Sequence, residues 1–235
     1  KAKIQNLSLD LIYGLPHQTQ ERWMENLAAA VALNPEHLSC YGLKVEEGTP
    51  LFAMKDTAGL PGDEEQADMY LQTVEFLKQY GYGQYEISNF ARMGFQCRHN
   101  MGYWEGEDYL GIGPSATSTV NNRRWTNPSS QAAWNGRTRE GKLGQEVEEL
   151  SPETRVLELL MLRLRTARGL RIAAYREMTG RDFVRDHQRL VQALHENSLI
   201  RIRQGYLRLT RSGMLVSNSI LSNLFARTRE VLRQA

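Results

Sequence analysis

Two short apolar stretches on either side of one amphipathic stretch constrain this chain more than any other feature. "NLSLDLIYGLP" (6–16) alternates at first and then runs almost continuously apolar, the pattern of a buried strand. Gly14 and Pro16 end it. Thr19 can cap a helix running through Leu33, with Glu21 near its positive end. Trp23, Leu27 and Val31 recur at helical spacing and define an inner face. Asn34-Pro35 stops the helix, and "HLSCYGLKV" (37–45) is a second, mostly apolar strand. This order predicts a βαβ unit with parallel strands and a right-handed crossover, hence an α/β fold.

The pattern continues downstream. "EEGTPLFAMKDTAGLPGD" is a loop of 18 residues (46–63), a length usual for lids or mobile segments. Asp63 is expected to cap a helix to Tyr80, with Met69, Val74, Leu77 and Tyr80 inside and Gly81 as its stop. "YGQYEISNFA" (82–91) reads as a third strand. From residue 151 the character changes. Ser151, Pro152 and Glu153 open a helix, "RIAAYREMTG" is a short one closed by Gly180, and "DFVRDHQRLVQALHENSL" is a third. Two strands flank Gln204-Gly205, and a last helix follows Ser212. Together these resemble a winged-helix module.

Charge divides the chain at the same place. Residues 151–235 hold 16 Lys/Arg against 7 Asp/Glu, and the first 150 hold 13 against 20. A domain boundary near residue 150 is therefore expected, giving domains 1–150 and 151–235. The basic charges are spread along amphipathic faces, as with Arg163, Arg185 and Arg189, or alternate along the ribbon, as with Arg201, Arg203 and Arg208. That is the pattern of a solvated surface, and no nucleic-acid partner is expected. Two cysteines cannot form a disulfide framework and point to a reducing cytoplasm. The chain opens at Lys1 and enters a strand almost at once, so it is read as part of a longer protein.

Three places carry candidate chemistry, each just past or within a strand, where α/β proteins put function. Asp10 interrupts an apolar strand, where a carboxylate is costly unless it is hydrogen-bonded or meets a polar ligand. Lys44 and Glu46 follow the second strand, either as ligand contacts or as solvated loop charges. His99 lies in "HNMGYW" (99–104), read as a loop, with Phe95, Tyr103, Trp104 and Tyr109 around it. Such a setting suits a flat aromatic ligand or an ordinary hydrogen-bonded imidazole. The glycines of "GIGPSA" (111–116) let backbone amides approach a ligand. Cys97 and His99, two apart and without further ligands nearby, are poor zinc spacing.

The stretches "DLIYGLP", "YEISNFA", "HNMGYW" and "DYLGIGPSA" together resemble the radical S-adenosylmethionine family. The branch is that of oxygen-independent coproporphyrinogen III oxidase and the HemW-type haem chaperones. The resemblance implies the C-terminal portion of a partial (β/α) barrel followed by a small helical, winged-helix-like domain. It also implies three ligands: a [4Fe-4S] cluster, S-adenosylmethionine and haem. Asp10, Lys44 and Thr117 fall at positions that contact S-adenosylmethionine in such proteins, and His99 at the proposed haem ligand. "HNMGYW" is similar to the chaperone signature, which implies haem delivery to a haem-requiring respiratory protein and, through that partner, peripheral membrane contact. Radical decarboxylation of coproporphyrinogen III is the alternative, so whether the parent is an enzyme stays open. The family's CxxxCxxC motif is absent from this chain, and its cluster ligands are expected upstream of Lys1.

Overall fold

The structure, a computed structural model, describes residues 4–142 and 146–234. Its contacts divide the chain into two units that meet between Cys97 and Arg98.

The first unit contains the expected βαβ element. Strand β1 (Ser8–Tyr13) leads through helix α1 (Gln20–Ala32) to strand β2 (His37–Gly42). The two strands pair in parallel, with Asp10 opposite Ser39. Thr19 caps α1, its hydroxyl accepting from the Arg22 amide at 3.3 Å. Trp23 and Leu27 are fully buried, but Ala30 completes the inner face instead of Val31. At 3.6 residues per turn, position 30 returns to within about 20° of Trp23, whereas position 31 lies about 80° away.

The stretch 46–63 is not all loop: it contains a short helix, α2 (Pro50–Ala53), capped by Thr49. Helix α3 (Asp63–Gln79) is capped one residue earlier than expected, at Gly62. The Glu65 carboxylate accepts from the Gly62 amide at 2.8 Å, so Asp63 becomes the first helical residue. Met69, Val74 and Leu77 face inward with Tyr70 and Thr73, while Tyr80 is exposed at the helix end.

The single strand expected over 82–91 is two short ones, β3 (Gly83–Gln84) and β4 (Asn89–Ala91). They pair antiparallel to each other, and β4 runs antiparallel to β2. The buried Glu86 causes the break. Its carboxylate accepts from the Ser88 amide and from the Asn89 side chain, which turns residues 85–88 out of the extended line. The sheet order is β1-β2-β4-β3. Among the described residues β1 lies at one end of this order, and its residues alternate between exposed and half-buried.

The second unit begins with helix α4 (Arg98–Glu105) and a sheet the sequence did not announce. That sheet is built from β5 (Thr117–Val120), β6 (Arg123–Thr126) and β7 (Glu148–Glu149), with helix α5 (Gln131–Arg139) between the last two. Helix α6 (Pro152–Leu164) follows, capped by Ser151 as expected. Residues 98–149 are thus grouped with the C-terminal elements, whereas the charge balance changes near residue 150.

Strand β8 (Leu170–Arg171) precedes helix α7 (Ile172–Thr179), which ends on Gly180 at φ 71°. The single helix expected next breaks at His187 into α8 (Phe183–Asp186) and α9 (Gln188–Glu196). Strands β9 (Ile200–Arg203) and β10 (Tyr206–Leu209) form the expected ribbon, to which β8 adds a third strand. The end of the chain divides into α10 (Arg211–Leu215) and α11 (Ser217–Arg233). Leu160 and Leu164 of α6 and Leu221, Leu224 and Val231 of α11 form the centre of this core.

Candidate functional site

In the first unit, strand register sorts side chains onto two faces, because paired residues project to the same side. Leu9, Leu11 and Tyr13 share a face with Leu38, Cys40 and Phe90. Trp23 of α1 lies against this face with its ring 5.5 Å from Tyr13, and its indole N–H donates to Thr73 of α3 at 2.8 Å. The opposite face is polar: Ser8 and Asp10 stand beside His37 and Ser39, and Asn89 follows on β4.

His37 organises that polar face. Its Nδ1 is 2.8 Å from the Ser8 hydroxyl and its Nε2 is 2.8 Å from the Tyr85 hydroxyl. Burial holds the imidazole below the usual histidine range, with Asp10 opposing the shift. Asp10 itself is exposed among the described residues, whereas its apolar neighbours predicted burial. An exposed carboxylate can meet a polar ligand. Lys44 lies beyond β2, exposed, 3.7 Å from Glu46. The turn after β1 is fixed by Gln18, whose side-chain oxygen accepts from the amides of Gly14 and Leu15 at 2.8 and 3.2 Å.

Neither cysteine has the surroundings of a cluster ligand. Cys40 is buried, and burial pushes its thiol up to about 12, with Asp10 adding to the effect. Cys97 is exposed. Among the described residues no group of three or more His, Cys, Asp or Glu is placed to hold a metal ion.

In the second unit, "HNMGYW" is helix and not loop. His99 and Tyr103 are one turn apart on α4, with ring centroids at 4.8 Å and planes at 79°. Tyr103 meets Tyr109 in the same edge-to-face manner at 4.7 Å and 77°. Tyr109 is held by a two-way backbone bridge to Thr119, at 2.8 and 2.9 Å. The three rings form a ladder with the exposed His99 at one end. Trp104, expected beside His99, lines instead a small cavity of about 70 Å³ against α6, with Leu159 and Leu162. Arg163 of α6 donates to the Glu105 carbonyl at 3.1 Å and so closes the C-terminal end of α4.

"GIGPSA" is rigidly fastened to the sheet. A Cβ on Gly111 would lie 2.3 Å from the Thr117 carbonyl oxygen, which only glycine avoids. The Gly111 amide donates to Ser118 Oγ at 2.9 Å, and the buried Asn127 donates to the carbonyls of Gly111 and Gly113. Thr117 opens β5, half-buried, with its hydroxyl 2.9 Å from that of Thr126. Leu110 and Ile112 project from this loop and are 62% and 80% exposed. Large apolar side chains so open to water mark a surface that contacts something else.

Asp10 and Lys44 thus lie in the first unit, and His99 and Thr117 in the second. Sequence reasoning missed His37, Ser8 and Tyr85, since polar residues in a strand carry no periodic signal. It also missed Asn127, whose tether spans residues distant in sequence.

Residues 150–216 match the family described as the HemN C-terminal domain. The fold is similar to that of coproporphyrinogen III oxidase (HemN) from Escherichia coli, a radical SAM enzyme. The TM-score is 0.73 over 94% of this chain and 55% of that one, at 22% identity. The chain therefore has the α/β fold of the corresponding part of a HemN-type radical SAM protein. In sequence it is similar over nearly its whole length to the haem chaperones called HemW. It is 34% identical to that of Synechocystis sp., over 98% of this chain and 61% of that protein. It is 32% identical to that of Bacillus subtilis, over 92% and 58%. The chain thus spans about three fifths of the length of these relatives. Among the described residues no helix is long and apolar enough to cross a membrane.

Proposed function

We propose that this chain is the haem-handling part of a radical S-adenosylmethionine haem chaperone, with His99 as an axial ligand to haem iron. The observation that carries the reading is the His99 imidazole, exposed at the end of an aromatic ladder with Tyr103 and Tyr109. A neutral imidazole offers its ring nitrogen lone pair to haem iron, and aromatic and aliphatic side chains suit a porphyrin face. Tyr103 packs edge-to-face against the His99 ring, and Leu110 and Ile112 supply exposed apolar surface in the same unit. The similarity to proteins named haem chaperones supports the same assignment.

Asp10 is proposed to contact S-adenosylmethionine from the polar face of the first sheet. Its exposed carboxylate fits a cationic or hydroxyl-bearing ligand, beside Ser39 in register. Lys44 is proposed to contribute to the same cofactor's surroundings through its backbone, and Thr117, in the second unit, is a cofactor-contact candidate by family resemblance alone. The cluster itself would take its ligands from outside this chain, given the state of Cys40 and Cys97. Delivery to a haem-requiring respiratory protein in the cytoplasm completes the proposal.

The test is a haem titration of the chain and of His99→Ala, followed in the Soret region. The expected result is saturable one-to-one binding by wild type and at least tenfold weaker binding by the variant. Equal affinity and an unchanged spectrum in the variant would remove His99 from the site.

A further inference from the structure

The C-terminal module contains a second concavity, unrelated to the aromatic ladder. Where α8 gives way to α9, a recess of about 600 Å³ is lined by Arg185, His187, Gln188, Arg189, Asn223 and Arg227. We propose that this recess binds the phosphate group of a small soluble ligand.

Three independent features converge there. The first is charge. Arg185 and Arg189 are exposed, and neither takes part in an ion pair among the described residues. Arg227 donates through Nε to the Asp186 carbonyl at 3.0 Å and through one terminal nitrogen to Glu230 at 3.0 Å, which leaves its other terminal nitrogen available. The one carboxylate in the wall does not offset these charges. Asp186 is taken by Arg181, which donates through two nitrogens at 3.1 Å each, and by the Tyr175 hydroxyl at 3.0 Å. With Arg227 paired to Glu230 and Asp186 neutralised by Arg181, the charges of Arg185 and Arg189 are left to give the recess a net positive field.

The second feature is the start of α9. This nine-residue helix has no side-chain cap, so the amides of its first turn present donors and the positive end of the helix dipole at the recess. The third is His187, 2% exposed and in the wall of the same recess. Its Nε2 is 3.3 Å from the Thr228 hydroxyl, and its Nδ1 has no hydrogen-bond partner. A buried ring nitrogen in the recess wall thus lacks a partner, which a buried polar group does not normally do.

Donors thus come from three helices, α8, α9 and α11, around a concave space. That geometry suits a tetrahedral oxyanion coordinated from several sides. A single carboxylate has two oxygens to offer where a phosphate has three or more.

Titration calorimetry with pyrophosphate on the intact chain tests the proposal. The variant is Arg185→Ala/Arg189→Ala, and the control is Arg201→Ala/Arg203→Ala, which removes the same charge from the ribbon. The expected result is saturable binding by wild type, at least tenfold weaker in the recess variant and within about twofold of wild type in the control. The His187 ring resonances should shift on titration in wild type. Equal weakening in both variants would show bulk electrostatics only and overturn the proposal. So would succinate binding as tightly as pyrophosphate, or a DNA duplex binding more tightly without competition from pyrophosphate.

Discussion

The neutral, buried His187 makes the stability of the C-terminal module sensitive to pH in a calculable way. Burial lowers this imidazole from 6.5 to about 4, against an opposing effect of Asp186. The unfolded chain holds it at its ordinary value. Between pH 6.5 and about 4 the unfolded state therefore binds more protons than the folded one. Stability rises with pH across that window, is free of this penalty above it, and is lost as pH falls through it. The full shift corresponds to about 3 kcal/mol, and roughly 2–3 kcal/mol is expressed on going from about pH 7 to about pH 4.5. The perturbation is His187→Gln, which removes the titration and keeps a polar partner for Thr228. Urea unfolding followed by far-ultraviolet circular dichroism, in phosphate-free buffer at both pH values, is the assay. Carboxylates will weaken both proteins on acidification, so the difference between them carries the information. Wild type should lose about 2–3 kcal/mol more than the variant. An equal loss would refute the reasoning, because His187 would then be protonated in the folded state without cost.

Other consequences of the structure can be checked separately. Trp23→Ala empties the space between α1, α3 and the sheet and removes the indole donor from the Thr73 hydroxyl, and should cost about 3–5 kcal/mol in urea unfolding. Gly111→Ala forces a methyl group against the Thr117 carbonyl and should cost about 1–3 kcal/mol, with loss of amide protection at residue 111, whose N–H donates to Ser118 Oγ. Anaerobic reconstitution of the chain with iron and sulfide should yield no stoichiometric [4Fe-4S] absorbance, since Cys40 and Cys97 supply no clustered thiolates. A stoichiometric cluster would overturn the assignment of its ligands to residues outside this chain.

Local chemistry made much of the fold legible. Thr19, Ser151 and Gly180 marked helix ends because a capping hydroxyl or a left-handed glycine acts within one turn. The parallel pairing of β1 and β2 followed from the helix between them. What escaped notice depended on distant or polar partners. Strand β6 reads "RRWT", with no apolar alternation, and is held by β5 and by Glu148 and Glu149 of β7. Helix α4 has Gly102 in its middle, so its residues looked like a loop although His99 and Tyr103 are at helical spacing. The break at His187 has neither proline nor glycine to announce it. Asp10 looked buried because its sequence neighbours are apolar, yet it lies on the polar face of the sheet and is exposed among the described residues. For the site, the family resemblance pointed to His99, but the ladder through Tyr109 and the tether at Asn127 needed three-dimensional contacts.

The central claim is that His99 ligates haem iron, and the vibrational spectrum of the ferrous haem-loaded chain tests it most directly. The account predicts an iron–imidazole stretching band in wild type that disappears in His99→Ala while the variant remains folded. The same band in both proteins, or none in wild type, would contradict it.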